Sequence, residues 1–219
     1  KIAKGKNIFL LNPDTILLNN AVKILSEFLD NHINVAICGG NLYTRELEPI
    51  HSYLMYLPSL YSEVDQLFGE RLSFRRYGNN LFFNHTEKPL NVGYVTGADM
   101  MIRKSVLDEA GYFDPDFFMY FEETELTFRI RKMGYDVMSV PDARIIHLEG
   151  QSVQLKEYRE NMFLQSRRLY LRKTSRSRII FLLCQIIYGI NALIHVVYFS
   201  SFRKERELLK IWKYRLKNF

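Results

Sequence analysis

An α/β fold followed by a basic helical tail is what the sequence predicts, on three observations. Short apolar runs end at turn residues, such runs alternate with stretches of helical period, and the composition changes abruptly after Ser152. The first run, Asn7-Ile8-Phe9-Leu10-Leu11, is closed by Asn12-Pro13-Asp14. It reads as a strand buried in the sheet, since a proline lacks an N–H and biases the residue before it toward extended backbone. Asn19 or Asn20 suits a helix N-cap and opens a helix to about Asn31, with Val22, Leu25, Phe28 and Leu29 on one face. Asn34 to Cys38 reads as the next strand, closed by Gly39-Gly40. Residues 50–92 show no clean period and read as a long loop with short elements, suited to a flap over an active site. Gly93 to Arg103 is expected to be a strand. Ser105 is expected to cap a short helix, Val106 to Ala110, that stops at Gly111. Thr124 to Met133 has helical period, with Leu126, Ile130 and Met133 facing in and Gly134 ending it. Tyr135 to Val140 and Ala143 to His147 read as two further strands.

Thirty Lys and Arg against 24 Asp and Glu give a net charge of +6, so the surface favours anions such as phosphates, nucleotides or acidic lipid. The hydrophobic share of 47% is ample for a core. Two cysteines, Cys38 and Cys184, lie far apart in apolar runs, with neither metal spacing nor a disulfide framework, which fits a reducing compartment. No signal peptide opens the chain, and Lys1 to Lys6 reads as an entry into the middle of a domain. Nucleic acid is not an expected partner, because the positive residues cluster beside an apolar helix rather than on a stacking platform.

After Ser152 a helix is predicted from Lys156 to Lys173, followed by a nearly unbroken apolar run from Ile179 to Phe199. Gln185, Tyr188, Asn191 and His195 fall within about a third of the helix circumference. One polar stripe on an apolar helix suits an interfacial helix or one packed on another protein surface. Arg172, Lys173, Arg176 and Arg178 precede the run, and Arg203, Lys204, Arg206, Lys210, Lys213, Arg215 and Lys217 follow it. Positive charge on both sides argues against a simple span and for docking on an anionic membrane surface. A span, a helical bundle and an oligomer interface stay open.

Three segments could carry chemistry. Asp14 follows the end of a strand, where ligands gather in open α/β sheets, and a carboxylate there can hold a divalent metal that bridges phosphates. Asn, Pro and Asp are also ordinary turn residues. Glu122, Glu123 and Glu125 crowd beside Phe117, Phe118, Met119, Tyr120 and Phe121. Desolvation raises a carboxyl pKa and suits a general base. Acidic residues are equally favoured at a helix start by its dipole. His147 ends a strand ahead of Gly150, as either a packing residue or a metal ligand.

Four motifs in order over about residues 8 to 152 resemble the family 2 inverting glycosyltransferases of the GT-A fold, nearest to rhamnosyltransferase-like members that build bacterial surface polysaccharides. Leu10-Leu11-Asn12-Pro13-Asp14-Thr15 resembles the family's variant of the DxD motif, and Gly97-Ala98-Asp99-Met100-Met101-Ile102-Arg103 its acceptor-side strand. The run from Asp114 to Leu126 resembles the loop with Glu-Asp-x-Asp-Leu, and His147-Leu148-Glu149-Gly150-Gln151-Ser152 the closing His-x-x-Gly-x-Ser. The resemblance implies a partial GT-A domain over residues 1–152, Rossmann-like with a mixed sheet and flanking helices, and a tail over 153–219 that docks on membrane or oligomerises. It implies that the leading nucleotide-binding part is missing, so that this stretch alone is expected to be inactive.

The implied site has Glu123 as catalytic base, Gly97, Ala98, Asp99 and Glu122 toward substrate, and Asp14 with His147 holding Mg2+ or Mn2+. The implied partners are a nucleotide-diphosphate sugar donor, a saccharide or lipid-linked acceptor and the inner face of the cell membrane, with a homo-oligomer left open. Glu123 stands where the family usually has Asp, one methylene longer. That difference also supports the alternative of a non-catalytic, degenerate transferase domain serving as a binding or assembly subunit.

Overall fold

The computed structural model describes residues 2–148, 156–203 and 205–219. In chain order the elements are β1 (Asn7–Leu11), β2 (Thr15–Leu17), α1 (Ala21–Asn31), β3 (Val35–Tyr43), β4 (Tyr53–Leu54), α2 (Leu60–Leu67), α3 (Arg71–Tyr77), a 3-10 turn at Gly78–Leu81, β5 (Leu90–Asn91), β6 (Tyr94–Val95), β7 (Asp99–Arg103), α4 (Lys104–Ala110), α5 (Glu122–Lys132), β8 (Asp136–His147), α6 (Lys156–Thr174), α7 (Arg178–Ser201) and α8 (Arg206–Asn218). They form two compact units. One is built from Lys1–Leu57, Phe74–Asp114 and Glu123–Ser152, the other from Pro58–Ser73, Pro115–Glu122 and Val153–Phe219.

The first unit is a mixed sheet in the order β1-β7-β3-β8-β2, with β5 also paired to β8. β7 lies antiparallel to both β1 and β3, while β3 and β8 run parallel. Met100 and Ile102 of β7 face a core shared with Ile37, Leu126 and Ile130. Met101, between them, faces the opposite core with Ala21, Leu25 and Leu29 of α1. Burial on both faces explains why these strands read as apolar runs rather than as an alternation. Each fully buried Leu of α1 contributes about 1.5–3 kcal/mol relative to exposure.

Several predicted boundaries move, each for a local reason. Gly39-Gly40 does not close β3. The strand bulges there and continues to Tyr43. A Cβ on Gly40 would lie 2.4 Å from the Ala143 carbonyl oxygen, so the absence of a side chain is what lets β3 and β8 stay paired. The two strands expected around Pro141-Asp142 are one, because the proline falls within the same irregularity, where a ladder N–H is not required. The strand expected from Gly93 to Arg103 is broken by a turn at Gly97-Ala98 into β6 and β7. On α1 the inward face is Ala21, Leu25 and Leu29, spaced by four, and Val22 is exposed. Asn20 occupies the N-cap position without a side-chain bond, while Asn19 donates to the Asp142 carbonyl and accepts from the Arg144 N–H, fastening the helix start to β8. Arg103, not Ser105, precedes α4. Gly111 and Gly134 end α4 and α5 with positive φ, as expected.

In the second unit α2, drawn from the stretch expected to be loop, packs with α7, and α8 packs with α6 and α7. The polar stripe of α7 points into this bundle. Asn191 and Tyr188 are buried, Gln185 accepts from Arg167 at 3.0 Å, and His195 stacks on Trp212 at 4.0 Å. Arg167 meets Glu63 of α2 at 2.6 Å, both side chains about 95% buried, and lies over the Tyr188 ring. Burial pushes the Glu63 carboxyl up while Arg167 pulls it down. The opposite face of α7, with Ile179, Ile186, Leu193 and Val197, is exposed, as is Phe202 just past its end.

Gly40→Ala should lower stability by about 2–4 kcal/mol, because backbone must move to admit the methyl. Urea unfolding should show the midpoint fall with an unchanged slope.

Candidate active site

The site grows from the ends of three strands in the sheet unit. β1 delivers Asn12, whose N–H donates to the Ala98 carbonyl at 3.0 Å and so ties the strand end to the Gly97-Ala98 turn. The chain then turns through Pro13 and Asp14 into β2, with the Thr15 hydroxyl donating back to the Asn12 carbonyl at 2.8 Å. β2 pairs antiparallel with the end of β8, and the register sets Thr15 opposite His147. That register brings His147 Nε2 to 3.4 Å from Asp14 Oδ1 and 3.2 Å from Asn12 Nδ2. The Leu148 N–H donates to the Asp14 carbonyl, closing the turn. On the other side of the turn, a Cβ on Gly97 would lie 3.7 Å from Glu123 Cγ. His147, Asp14, Asn12, Ala98, Gly97 and Glu123 therefore form one continuous run of neighbours.

Asp14 and His147 fit a divalent cation. They present a carboxylate oxygen and an imidazole nitrogen side by side, both partly open to solvent. No third His, Cys, Asp or Glu joins them among the described residues, so the remaining coordination positions would fall to ligand oxygens and water, the usual pattern for a metal that grips phosphates. Glu149 to Ser152, the rest of the closing motif, lie outside the described residues.

The three glutamates have different environments. Glu125 is buried and pairs with Arg129 at 2.8 Å, one helical turn on. Arg129 also donates to the carbonyls of Ala110, Gly111 and Tyr112, fastening α5 to the end of α4. Glu123 faces Gly97. Glu122 keeps one buried carboxylate oxygen with no hydrogen-bond partner among the described residues, and burial pushes its pKa up. Immediately before them, Tyr120 and Phe121 hold φ of 68° and 64°. Two successive non-glycine residues in the left-handed region cost on the order of 1–2 kcal/mol each. In the helical unit the Ser166 hydroxyl donates to the Met119 carbonyl at 2.6 Å, and the Phe121 ring lies between Phe163 and Tyr170 at 5.5 and 5.4 Å.

Asp99 departs from its expected role. It is fully buried, its Oδ2 accepts from the Gly40 N–H at 2.6 Å, and Oδ1 has no partner among the described residues. A side chain turned into the core cannot meet a sugar. Burial pushes its carboxyl up to about 7, with the Gly40 bond pulling the other way. Ala98 is likewise buried. Asn12, which links His147 to the Gly97-Ala98 turn, had only the shared Asn-Pro-Asp motif to announce it.

A family model described as glycosyltransferase like family 2 matches residues 1–167. The chain belongs to that family. Among relatives of this family 2 member, "N-acetylglucosaminyl-diphospho-decaprenol L-rhamnosyltransferase" of Mycobacterium tuberculosis is 34% identical over 67 residues, 31% of this chain and 21% of the other. "Low-salt glycan biosynthesis hexosyltransferase Agl10" of Haloferax volcanii is 31% identical over 170 residues, 78% of this chain and 51% of the other. The chain thus spans about half or less of the length of these relatives. Two solved structures share its fold. GalNAc-T7 with UDP, GalNAc and Mn2+ aligns at a TM-score of 0.52 and 14% identity, over 96% of this chain and 38% of the other. The mannosyltransferase PcManGT of Pyrobaculum calidifontis, in complex with GDP-Man and Mn2+, aligns at 0.51 and 10%, over 98% and 61%. The mixed sheet with flanking helices is accordingly a GT-A-like fold.

Asp99 has a consequence for stability. The folded chain keeps this proton to about pH 7, whereas the unfolded chain releases it near 3.8. Between those values the folded state binds more protons, so stability falls as pH rises, by up to about 1.4 kcal/mol per pH unit from this group. Asp99→Asn should flatten that slope in urea melts taken from pH 5 to 8.

Proposed function

We propose that this glycosyltransferase moves a sugar from a nucleotide-diphosphate donor to a saccharide or lipid-linked acceptor with inversion, in surface polysaccharide synthesis. The observation that carries the reading is the unbroken run of neighbours from His147 and Asp14 through Asn12 to Gly97 and Glu123. One end suits a diphosphate and the other a hydroxyl. Asp14 and His147 would hold Mg2+ or Mn2+, which when bound offsets the charge of the departing diphosphate. Glu123 takes the proton of the acceptor hydroxyl as that oxygen attacks the anomeric carbon from the face opposite the leaving group. Gly97 presents no side chain beside Glu123, so the acceptor can approach the backbone. Glu122, next to the base in the chain and desolvated on one oxygen, is the substrate-side carboxylate in this reading. Asn12 Nδ2 stands 3.2 Å from the same His147 Nε2 that faces Asp14, so a metal taking that lone pair would replace the amide contact. A base and a leaving group on opposite sides of one carbon favour a single displacement.

The reading extends to location, with the protein peripheral on the cytoplasmic face of the cell membrane. α7 is long and apolar enough to cross a membrane by length and composition, with a mean hydropathy of 2.1 in its most apolar window. Its polar stripe is consumed inside the helical unit, which leaves the apolar face to lie in lipid. Arg172, Arg176, Arg178, Arg206 and Lys213 flank α7 in the sequence, and each basic residue that comes near an anionic surface adds roughly 1 kcal/mol. Lys173 and Lys210 are engaged with Asp116 and Glu207 and add less.

In protein expressed from its complete coding sequence, Glu123→Gln should lower kcat by about 10²–10⁴-fold with little change in donor binding. Asp14→Asn should weaken manganese-dependent nucleotide-diphosphate binding by calorimetry, by roughly tenfold or more. Unchanged turnover in both variants rejects the site. Wild-type protein that shows no metal-dependent nucleotide binding supports the non-catalytic reading instead.

Ile186→Asp and Leu193→Asp, both on the exposed face, should abolish flotation with anionic vesicles without lowering the melting temperature. Flotation of the parent protein should weaken as salt rises. A salt-insensitive dimer in light scattering, with no flotation, would assign the face to a second copy.

A further inference from the structure

A cavity of about 300 Å³ opens in the helical unit, lined by Tyr120, Arg159, Glu160, Phe163, Ile211 and Arg215. None of these residues takes part in the site built on Asp14 and Glu123. Arg215 is held rigidly. Its Nε and Nη2 donate to the two oxygens of Glu160 at 2.6 and 3.1 Å, and its guanidinium lies over Trp212 at 4.8 Å. Both Glu160 oxygens are thereby used, and Arg215 keeps the remaining edge of its guanidinium for another acceptor. Arg159 pairs with no carboxylate among the described residues. The cavity therefore carries two guanidinium groups against one carboxylate, a surplus of one positive charge beside fixed hydrogen-bond donors. Guanidinium groups in such a setting favour phosphate oxygens, which accept bidentate, charge-assisted bonds.

The remaining walls are apolar. Phe163 and Ile211 face the same space, and Tyr120 meets Phe163 edge-on at 6.1 Å. An anion site with aromatic and aliphatic walls suits a phosphate that carries an apolar body rather than a bare ion.

We propose that this cavity seats the diphosphate of a lipid-linked acceptor, with Arg159 and Arg215 on the phosphate oxygens and Phe163 and Ile211 along the first part of the lipid. The assignment rests on the transferase reading for the meaning of the ligand, but not for its binding chemistry. A phosphoanion could also come from a soluble source, and the experiment separates the two.

Trp212 is the single tryptophan of the chain and lies under Arg215, so its fluorescence reports occupancy. The protein is titrated with farnesyl diphosphate, farnesol and inorganic pyrophosphate in EDTA, which takes any metal-dependent nucleotide site out of the measurement. Failure of the Asp14–His147 site therefore leaves this readout untouched. Farnesyl diphosphate should give a saturable change at concentrations at least about tenfold below those needed for pyrophosphate, and farnesol should give none. Arg159→Gln should weaken farnesyl diphosphate about tenfold with an unaltered circular-dichroism melt, and Arg159→Lys should recover part of the loss. Ile211→Asp should weaken farnesyl diphosphate while leaving pyrophosphate unchanged. Equal affinity for farnesyl diphosphate and pyrophosphate would overturn the lipid-linked assignment in favour of a soluble phosphate. Equal responses to farnesol and farnesyl diphosphate, or an Arg159→Gln protein that binds as the parent does, would overturn the site.

Discussion

The parallel pairing of β3 with β8 is the constraint on which the sheet unit depends. β8 is twelve residues long and takes β3 on one side and both β5 and β2 on the other. The pairing survives a bulge because Gly40 admits the Ala143 backbone at a distance no side chain could tolerate. Downstream of that bulge β8 carries Ile145, Ile146 and His147 into register with β2. Without it, His147 would not stand opposite Thr15, and the imidazole would not reach Asp14. The chemistry at the strand ends is thus set by a backbone contact in the interior of the sheet.

Four carboxylates near this region illustrate how environment, not residue type, decides function. Glu125 is neutralised by Arg129 and works as a rivet between α5 and α4. Asp99 is sealed in the core with a single backbone donor and sits close to its own protonation point at neutral pH. Glu122 is desolvated on one oxygen. Glu123 borders the one turn that presents no side chain toward it. In sequence all four read as acidic residues beside apolar ones. Only the packing tells the carboxylate that rivets two helices from the one beside the Gly97 turn.

The same distinction explains how much could be read from the chain. The strand containing Leu10 and Leu11, the helix containing Leu25 and Leu29, and the stops at Gly111 and Gly134 were legible, because each rests on a local period or a local backbone preference, but the strand was expected to be buried and instead lies half-buried at the sheet edge beside β7 alone, with Leu11 exposed. Asp14 and His147 could be named as candidates from their positions at strand ends. Their proximity could not, because it depends on the register between β2 and β8. Gly39-Gly40 misled, since glycines that break a strand and glycines that let two strands approach look alike without the partner strand. The polar stripe of α7 was visible as a stripe. That it faces Arg167 of α6 and Trp212 of α8 rather than water depends on helix packing, and the Glu63 that pairs with Arg167 comes from a stretch with no clear period.

The ion pair between Glu63 and Arg167 gives the helical unit an unusual history. Its two members are roughly a hundred residues apart in the chain, and each is almost wholly enclosed. During translation at about 5–20 residues per second, Glu63 emerges several seconds before its partner leaves the ribosome. Throughout that interval α2 has nothing to pack against, and a carboxylate destined for an apolar interior must stay hydrated. The sheet unit, whose last strand ends at His147, can close during the same interval while α2 hangs from it as an unfinished loop. Cutting the gene near residue 152 would therefore release a nascent-like intermediate, with an orphaned acidic helix open to chaperones and proteases.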